Sequence, residues 1–313
     1  MGTQIATVSA IEERLARYQR IAEGALSENT VKAIKSDTAV FARWCAQDGL
    51  ASLPAVPDTL AAFIDASAAE KAPATIRRYI ASIAHIHRAA ELPNPADSDV
   101  VRLALRRMAR AKGTRQQQAA ALNRPLIDRM ITAQPDTPAG FRNRAMLGIM
   151  YDAMIRRSEL VALDVADIET ADDGSGTVMV NRSKSDQEGA GSVRFLAHDT
   201  MGHVRAWLTA GNIETGPLFR SVRKAGAIGE RLADRDVARI VKRMAKAAGL
   251  NVNPSGHSCR VGASQDMVAA GFSLPEIMQA ADWKSPAMPA RYSAHLGARR
   301  GAAAKLAAIQ NRD

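Results

Sequence analysis

Apolar side chains recur every three or four positions along most of this chain, the spacing that keeps one face of a helix out of water. Residues 11–26 place Ile11, Leu15, Tyr18 and Ala22 on such a face. Ser27-Glu28-Asn29-Thr30 then offers N-cap chemistry for a helix reaching Trp44 and Cys45, with Val31, Ile34, Thr38 and Phe41 aligned. Pro54 and Pro57 interrupt the pattern, and Asp58 predicts a cap for a helix over 58–68. Pro73 opens another through Ile76, Ile80, Ile83 and Ile86, which Pro93 and Pro95 end. An arginine-rich helix is expected over 97–111. The periodicity lapses in residues 112–123, KGTRQQQAAALN. This predicts a linker at 113–122 between a helical domain, 1–112, and a second domain, 123–313.

The second domain is again mostly helical but carries a β patch. Thr177-Val178-Met179-Val180 and Val193-Arg194-Phe195-Leu196 flank a polar turn with Gly189 and Gly191, which predicts a hairpin. The expected fold class is therefore mainly α with a small antiparallel β-sheet, in two domains.

Charge adds a direction to this picture. The 313 residues carry a formal net charge of +10, which favours polyanionic partners because each Lys or Arg set on a phosphate releases condensed counterions. The cysteines, Cys45 and Cys259, stand far apart and outside any C-x-x-C pair, which speaks against a disulfide framework or a zinc site. The first twenty residues lack the apolar core of a signal peptide, and no run approaches a membrane span. A soluble, cytoplasmic protein is expected, with no membrane or small-molecule partner.

Cleaving a phosphodiester requires an in-line nucleophile, neutralisation of the charge that builds on phosphorus, and a proton for the leaving oxygen. Paired guanidiniums suit the second task, Lys or His the third, and Tyr the first. The second domain holds this inventory. Arg156 lies in Met-Ile-Arg-Arg-Ser-Glu-Leu with Glu159 three places on, and Lys184 on or just after the first hairpin strand. His257 and Arg260 form an H-x-x-R pair, read as one helix face, and Trp283 and Tyr292 follow. Each alone has a plainer reading. Arg156 could be a surface partner of Glu159, Trp283 a core residue, and Lys224, Lys242 and Lys246 compete with Lys184. Cys259 reads as a packed thiol, and His85 and His87 as core or surface histidines.

In this order and spacing the residues resemble the signature of the tyrosine recombinases, or phage integrases. Arg156 and Lys184 stand 28 positions apart, Arg260 and Trp283 23, and Trp283 and Tyr292 nine. The stretches Ser255-Gly256-His257-Ser258-Cys259-Arg260-Val261-Gly262-Ala263 and Pro275-Glu276-Ile277-Met278-Gln279-Ala280 carry the resemblance most closely. It implies an all-helical core DNA-binding domain and an α+β catalytic domain. It further implies that Arg156, Arg260 and His257 hold the scissile phosphate and that Lys184 protonates the 5′-oxygen. Tyr292 would form a 3′-phosphotyrosyl bond, with Glu159 in support. Trp283 stands where many relatives have His, and Arg157 where many are apolar.

The implied partners are double-stranded DNA with an inverted-repeat site and three further copies of the chain, with no metal, nucleotide or other cofactor. Lys32 and Lys35 on one helix, Arg77 and Arg78 on another, and Arg235 near the start of a third would contact DNA. Residues 298–309 would dock into a neighbouring protomer. Two alternatives stay open: a non-catalytic DNA-binding relative, and a topoisomerase or telomere resolvase with the same site.

Overall fold

The computed structural model describes residues 7–114, 118–181, 191–293 and 301–312. The chain separates into two compact units, Met1–Gln117 and Gln118–Asp313. Among the described residues, no helix is long and apolar enough to cross a membrane.

The first unit is helical: α1 (Val8–Ile21), α2 (Glu28–Gln47), α3 (Pro57–Ala68), α4 (Pro73–Ala89) and α5 (Asp99–Lys112). α1 ends five residues before the expected 26 and buries only Ile11. Ser27 caps α2 through its hydroxyl, which accepts the Thr30 N–H. α3 starts with Pro57 at its first turn, so Asp58 lies inside the helix as a first-turn acid rather than as its cap. Phe41, Leu60, Phe63, Ile64, Ile76, Ile83 and Val101 form the core.

Two buried polar groups tie these helices together. Asp37, fully buried on α2, accepts the Ser82 hydroxyl at 2.9 Å and pairs with Arg78 at 2.9 Å, both from α4. His87, also fully buried, accepts the Ala55 N–H at its Nε2 (2.9 Å) and lies 2.8 Å from the Ile83 carbonyl through Nδ1. Nδ1 must then carry the proton. Burial holds the imidazole pKa below its usual value, whereas in the unfolded chain it returns to about 6.5. The unfolded state therefore gains a proton first as pH falls. The contribution of His87 is full above about pH 6.5 and is lost progressively below it. Melting temperature should decline over that acid range, and His87→Gln, which keeps an acceptor for Ala55, should flatten the decline.

The second unit opens with α6 (Arg124–Thr132), α7 (Pro138–Asp152) and α8 (Arg157–Ala162). A three-stranded antiparallel sheet follows, ordered β1 (Ile168–Thr170), β2 (Gly176–Val180), β3 (Ser192–Leu196). The hairpin β2–β3 matches the sequence reading, with Val178 opposite Arg194; β1 was not anticipated. After α9 (His198–Gly211) comes a second, unanticipated pair, β4 (Arg220–Val222) and β5 (Ile228–Arg231). The chain ends with α10 (Asp234–Ala247), α11 (Ser258–Ala270), α12 (Leu274–Ala281), α13 (Ala287–Tyr292) and α14 (Ala302–Ile309). The described part of the expected 298–309 helix is α14, which buries none of its residues.

Trp207 of α9 sits fully buried at the centre of this unit, its indole N–H donating to the Leu218 carbonyl at 2.8 Å. Leu122, expected in the linker, is fully buried in the same core, and its N–H donates to the Ser258 carbonyl at 3.0 Å. This close approach requires Gly262 on α11, because a Cβ there would collide with the Leu122 carbonyl and the Asn123 backbone. Backbone cannot rotate aside as a side chain can, so Gly262→Ala should destabilise the unit by about 3 kcal/mol, the upper end for overpacking. A urea midpoint measurement checks this.

Candidate active site

α7 ends at Asp152, and a buried bend, Ala153–Met154–Ile155, delivers Arg156 to the N-cap position of α8. Glu159, 4% exposed, fixes that arginine twice. One carboxylate oxygen accepts the Arg156 N–H at 2.8 Å, and the other meets Nη1 at 2.5 Å. The surface pair considered from the sequence is thus a largely buried one, and the guanidinium is aimed by a carboxylate at the head of its own helix.

Arg260 lies on α11, 3% exposed. Its Nη1 donates to the Met154 carbonyl and its Nη2 to the Ala281 carbonyl, the latter at 2.8 Å. Burial, and then the nearby charge of Arg156, pull its pKa down to about 10, so it stays cationic at neutral pH. Trp283 stacks over this guanidinium, 4.9 Å from ring centroid to Cζ, and meets the Tyr292 ring edge-on at 5.6 Å. Trp283 therefore packs one candidate residue against another, and the core and site readings of it describe the same contact.

Tyr292 ends α13 and is 9% exposed. Its carbonyl accepts the Gln118 and Gln265 amides at 3.1 and 3.0 Å. The sequence reading places Gln118 in the linker; the side chain instead holds the end of the Tyr292 helix. The phenol is close enough to Arg260 to contribute to its electrostatics.

His257 departs from the expected geometry. It is the N-cap residue of α11, open to solvent, whereas Arg260 points into the core, so the two do not share an exposed helix face. They converge from the end of the helix instead. Protein crowding around the ring, then the cations Arg260, Arg156 and Arg157, lower its pKa, which keeps the imidazole neutral at pH 7. Arg157 itself is half exposed and pairs with Asp234 at 3.4 Å. Cys259 is sealed in the core with its thiol pKa pushed up to about 12 by burial. Lys184 lies outside the described residues.

One participant was not singled out from the sequence. Arg194 on β3, 4% exposed, donates to the Ala153 carbonyl at 2.9 Å and pairs with Asp282 at 3.7 Å. Arg194 and Arg260 thus staple the same two segments, 153–154 and 281–282. Met154 and Asp282 both adopt left-handed backbone (φ 46° and 49°), a conformation unfavourable for side-chain-bearing residues. Buried guanidiniums meet both places: Arg260 donates to the Met154 carbonyl, and Arg194 pairs with the Asp282 carboxylate. Among the described residues, Arg156, Arg194 and Arg260 face Glu159 and Asp282, and Asp282 is also 3.8 Å from the Lys284 ammonium, so cations outnumber carboxylates at this site.

The residues proposed for DNA contact are all on the surface. Lys32, Lys35, Arg77 and Arg235 are exposed, Lys32 pairing with Glu28 at 3.1 Å. Arg78 is exposed as well, but its guanidinium is oriented by buried Asp37.

Residues 121–299 match the Phage integrase family. The recombinase Cre of Escherichia phage P1 is 30% identical over 303 residues, covering 90% of this chain and 88% of that protein. An integrase/recombinase XerD homologue of Selenomonas ruminantium is 30% identical over 293 residues, covering 90% and 86%. Among solved structures, XerH site-specific recombinase bound to difH substrate superposes with a TM-score of 0.63 at 13% identity, covering 96% of this chain and 90% of that one. A lambda integrase tetramer bound to a Holliday junction does so at 0.60 and 16%, covering 93% and 82%. With the family matched over more than half its length, and Cre over most of it, the chain belongs to the phage integrase family of tyrosine recombinases.

Proposed function

We propose that the protein is a site-specific DNA recombinase that breaks and rejoins strands through a phosphotyrosyl intermediate at Tyr292. The observation that carries this reading is the convergence of Arg156, Arg194, His257 and Arg260, with Tyr292 beside them, around an uncompensated positive charge.

In this reading the Arg156 and Arg260 guanidiniums bind the non-bridging oxygens of the scissile phosphate as charge develops there. The phenolic oxygen attacks phosphorus, the bond from phosphorus to the 5′-oxygen breaks, and a 3′-phosphotyrosyl ester forms. Neutral His257 accepts the phenolic proton, and Lys184 protonates the departing 5′-oxygen. A 5′-hydroxyl from a second duplex reverses the steps. One phosphodiester replaces another, so no nucleotide is consumed, and the arginines supply the charge neutralisation that a metal ion provides in many phosphoryl transfers. Glu159 and Arg194 position the arginines, and Trp283 packs Arg260 against Tyr292.

The first unit would be the core DNA-binding domain and the second the catalytic domain, gripping an inverted-repeat site through Lys32, Lys35, Arg77, Arg78 and Arg235. The apolar residues of α14, Leu306 and Ile309, are 50% and 79% exposed, which suits a helix that docks on another protomer in a tetramer. A tetramer of this kind would exchange strands through a four-way junction.

A target duplex can be recovered by repeated selection from a random-sequence pool and then nicked so that cleavage cannot reverse. The expected result is a protein–DNA adduct on a denaturing gel, mapped by peptide sequencing to Tyr292. Tight binding with no adduct would mark the chain as a non-catalytic binder.

A further inference from the structure

Away from the candidate active site, Arg142 near the start of α7 is 4% exposed. Its guanidinium donates to the Asn143 side-chain oxygen through Nε and Nη2, at 3.2 and 2.8 Å, and to the Arg220 carbonyl through Nη1 at 3.3 Å. Three of its five N–H groups thus meet neutral oxygens, and among the described residues no carboxylate pairs with it. A buried cation without an anion is costly, and here a second cation, Arg243, adds to the strain; burial and then Arg243 bring the Arg142 pKa down to about 10.

The guanidinium lines a groove of about 530 Å³ whose wall is α10. Arg239, Lys242 and Arg243 line it from that helix, and the carboxylate among its lining residues, Asp236, is already paired with Arg239. Four cations therefore face one carboxylate. Val237, Val241 and Met244 of α10 are buried in the core, and Ile240 is buried at the groove floor, so the helix cannot rotate to disperse these charges. Along α7 the groove stands roughly 15 Å from the Asp152 end that leads to Arg156, at about 1.5 Å per residue. It is a separate site.

We propose that this groove binds a phosphate-type oxyanion, held by Arg142 from beneath and by Lys242 and Arg243 from the rim. The occupant is a backbone phosphodiester of bound DNA outside the cleavage position. That source rests on the recombinase reading, and free inorganic phosphate is the other source of the same chemistry. Arg142 supplies the fixed, dehydrated donor, and the exposed rim residues close over the anion.

The test uses the full chain with Lys242→Gln and Arg243→Gln combined, both at exposed positions. A charge-matched control carries Lys71→Gln and Arg205→Gln. Two quantities are measured: the rise in melting temperature with added inorganic phosphate, and the slope of log affinity for duplex DNA against log salt. The proposal expects phosphate to raise the melting temperature of wild type and control, with at least half of that rise lost in the groove variant. It expects the groove variant's slope to be shallower by about 0.9, one phosphate's worth. Loss of the phosphate response with an unchanged slope identifies free phosphate as the occupant. Equal behaviour of groove variant and control in both measurements overturns the site. Wild type that binds no duplex would defeat the recombinase reading alone, since the phosphate response still decides the groove.

Discussion

Tyr292→Phe should yield no covalent protein–DNA adduct while binding the target duplex as tightly as the parent chain. The substitution removes one oxygen. The ring remains to meet Trp283 at its edge, and the backbone carbonyl still receives Gln118 and Gln265. No packing is lost, so stability should change by less than about 1 kcal/mol. The loss of adduct should be complete, because the phenyl group has no lone pair to offer phosphorus. Gel-shift affinity, a thermal melt and the suicide-substrate assay together check it. A persisting adduct in the variant would mean that another residue is the nucleophile and would falsify the assignment.

The second large effect is expected from Arg260→Lys. One ammonium cannot reach the Met154 and Ala281 carbonyls and a phosphate oxygen at the same time. Cleavage in a single turnover should fall by roughly 10²–10³-fold, the scale for losing one donor to a developing oxyanion. Unfolding free energy should fall by about 2–4 kcal/mol, because buried carbonyls lose charged donors. Equilibrium DNA affinity should change little, since most of it comes from surface cations on non-scissile phosphates. A variant that lost stability but cleaved at the parent rate would make Arg260 a structural tie alone.

Much of this architecture was legible because local rules carry it. Ser27 caps α2, Pro73 opens α4, and the hairpin follows from two apolar runs around a polar turn. The short strands were missed because Ile168–Thr170 and Arg220–Val222 are three residues long and too polar to stand out from loop. Arg194 was missed for a different reason. In Ser192–Leu196 the alternation is inverted, with Val193 and Phe195 facing solvent and Arg194 facing inward beside Leu196. A rule that turns charge outward assigns that arginine to water. Its partners, Ala153 and Asp282, lie 41 and 88 positions away along the chain, so nothing adjacent announces the burial. Gln118 reads as linker for a similar reason: its role appears only once Tyr292 has been brought beside it.

The candidate site residues form an ordered set in the sequence, but their geometry is not legible there. Spacing alone put His257 and Arg260 on one face, whereas the chain puts one at a helix end and the other inside. Nor could spacing show that Arg142 and Arg243 crowd together with no carboxylate paired to Arg142 among the described residues, since 101 positions separate them.

If the proposed tyrosyl ester forms, the sealing of Cys259 bears on how cleanly it is resolved. A covalent ester to tyrosine is vulnerable while it waits for the incoming strand, and a thiolate beside Arg260 would be a rival attacker. With the sulfur enclosed and kept protonated, Cys259 would not compete with a sugar hydroxyl for the proposed ester.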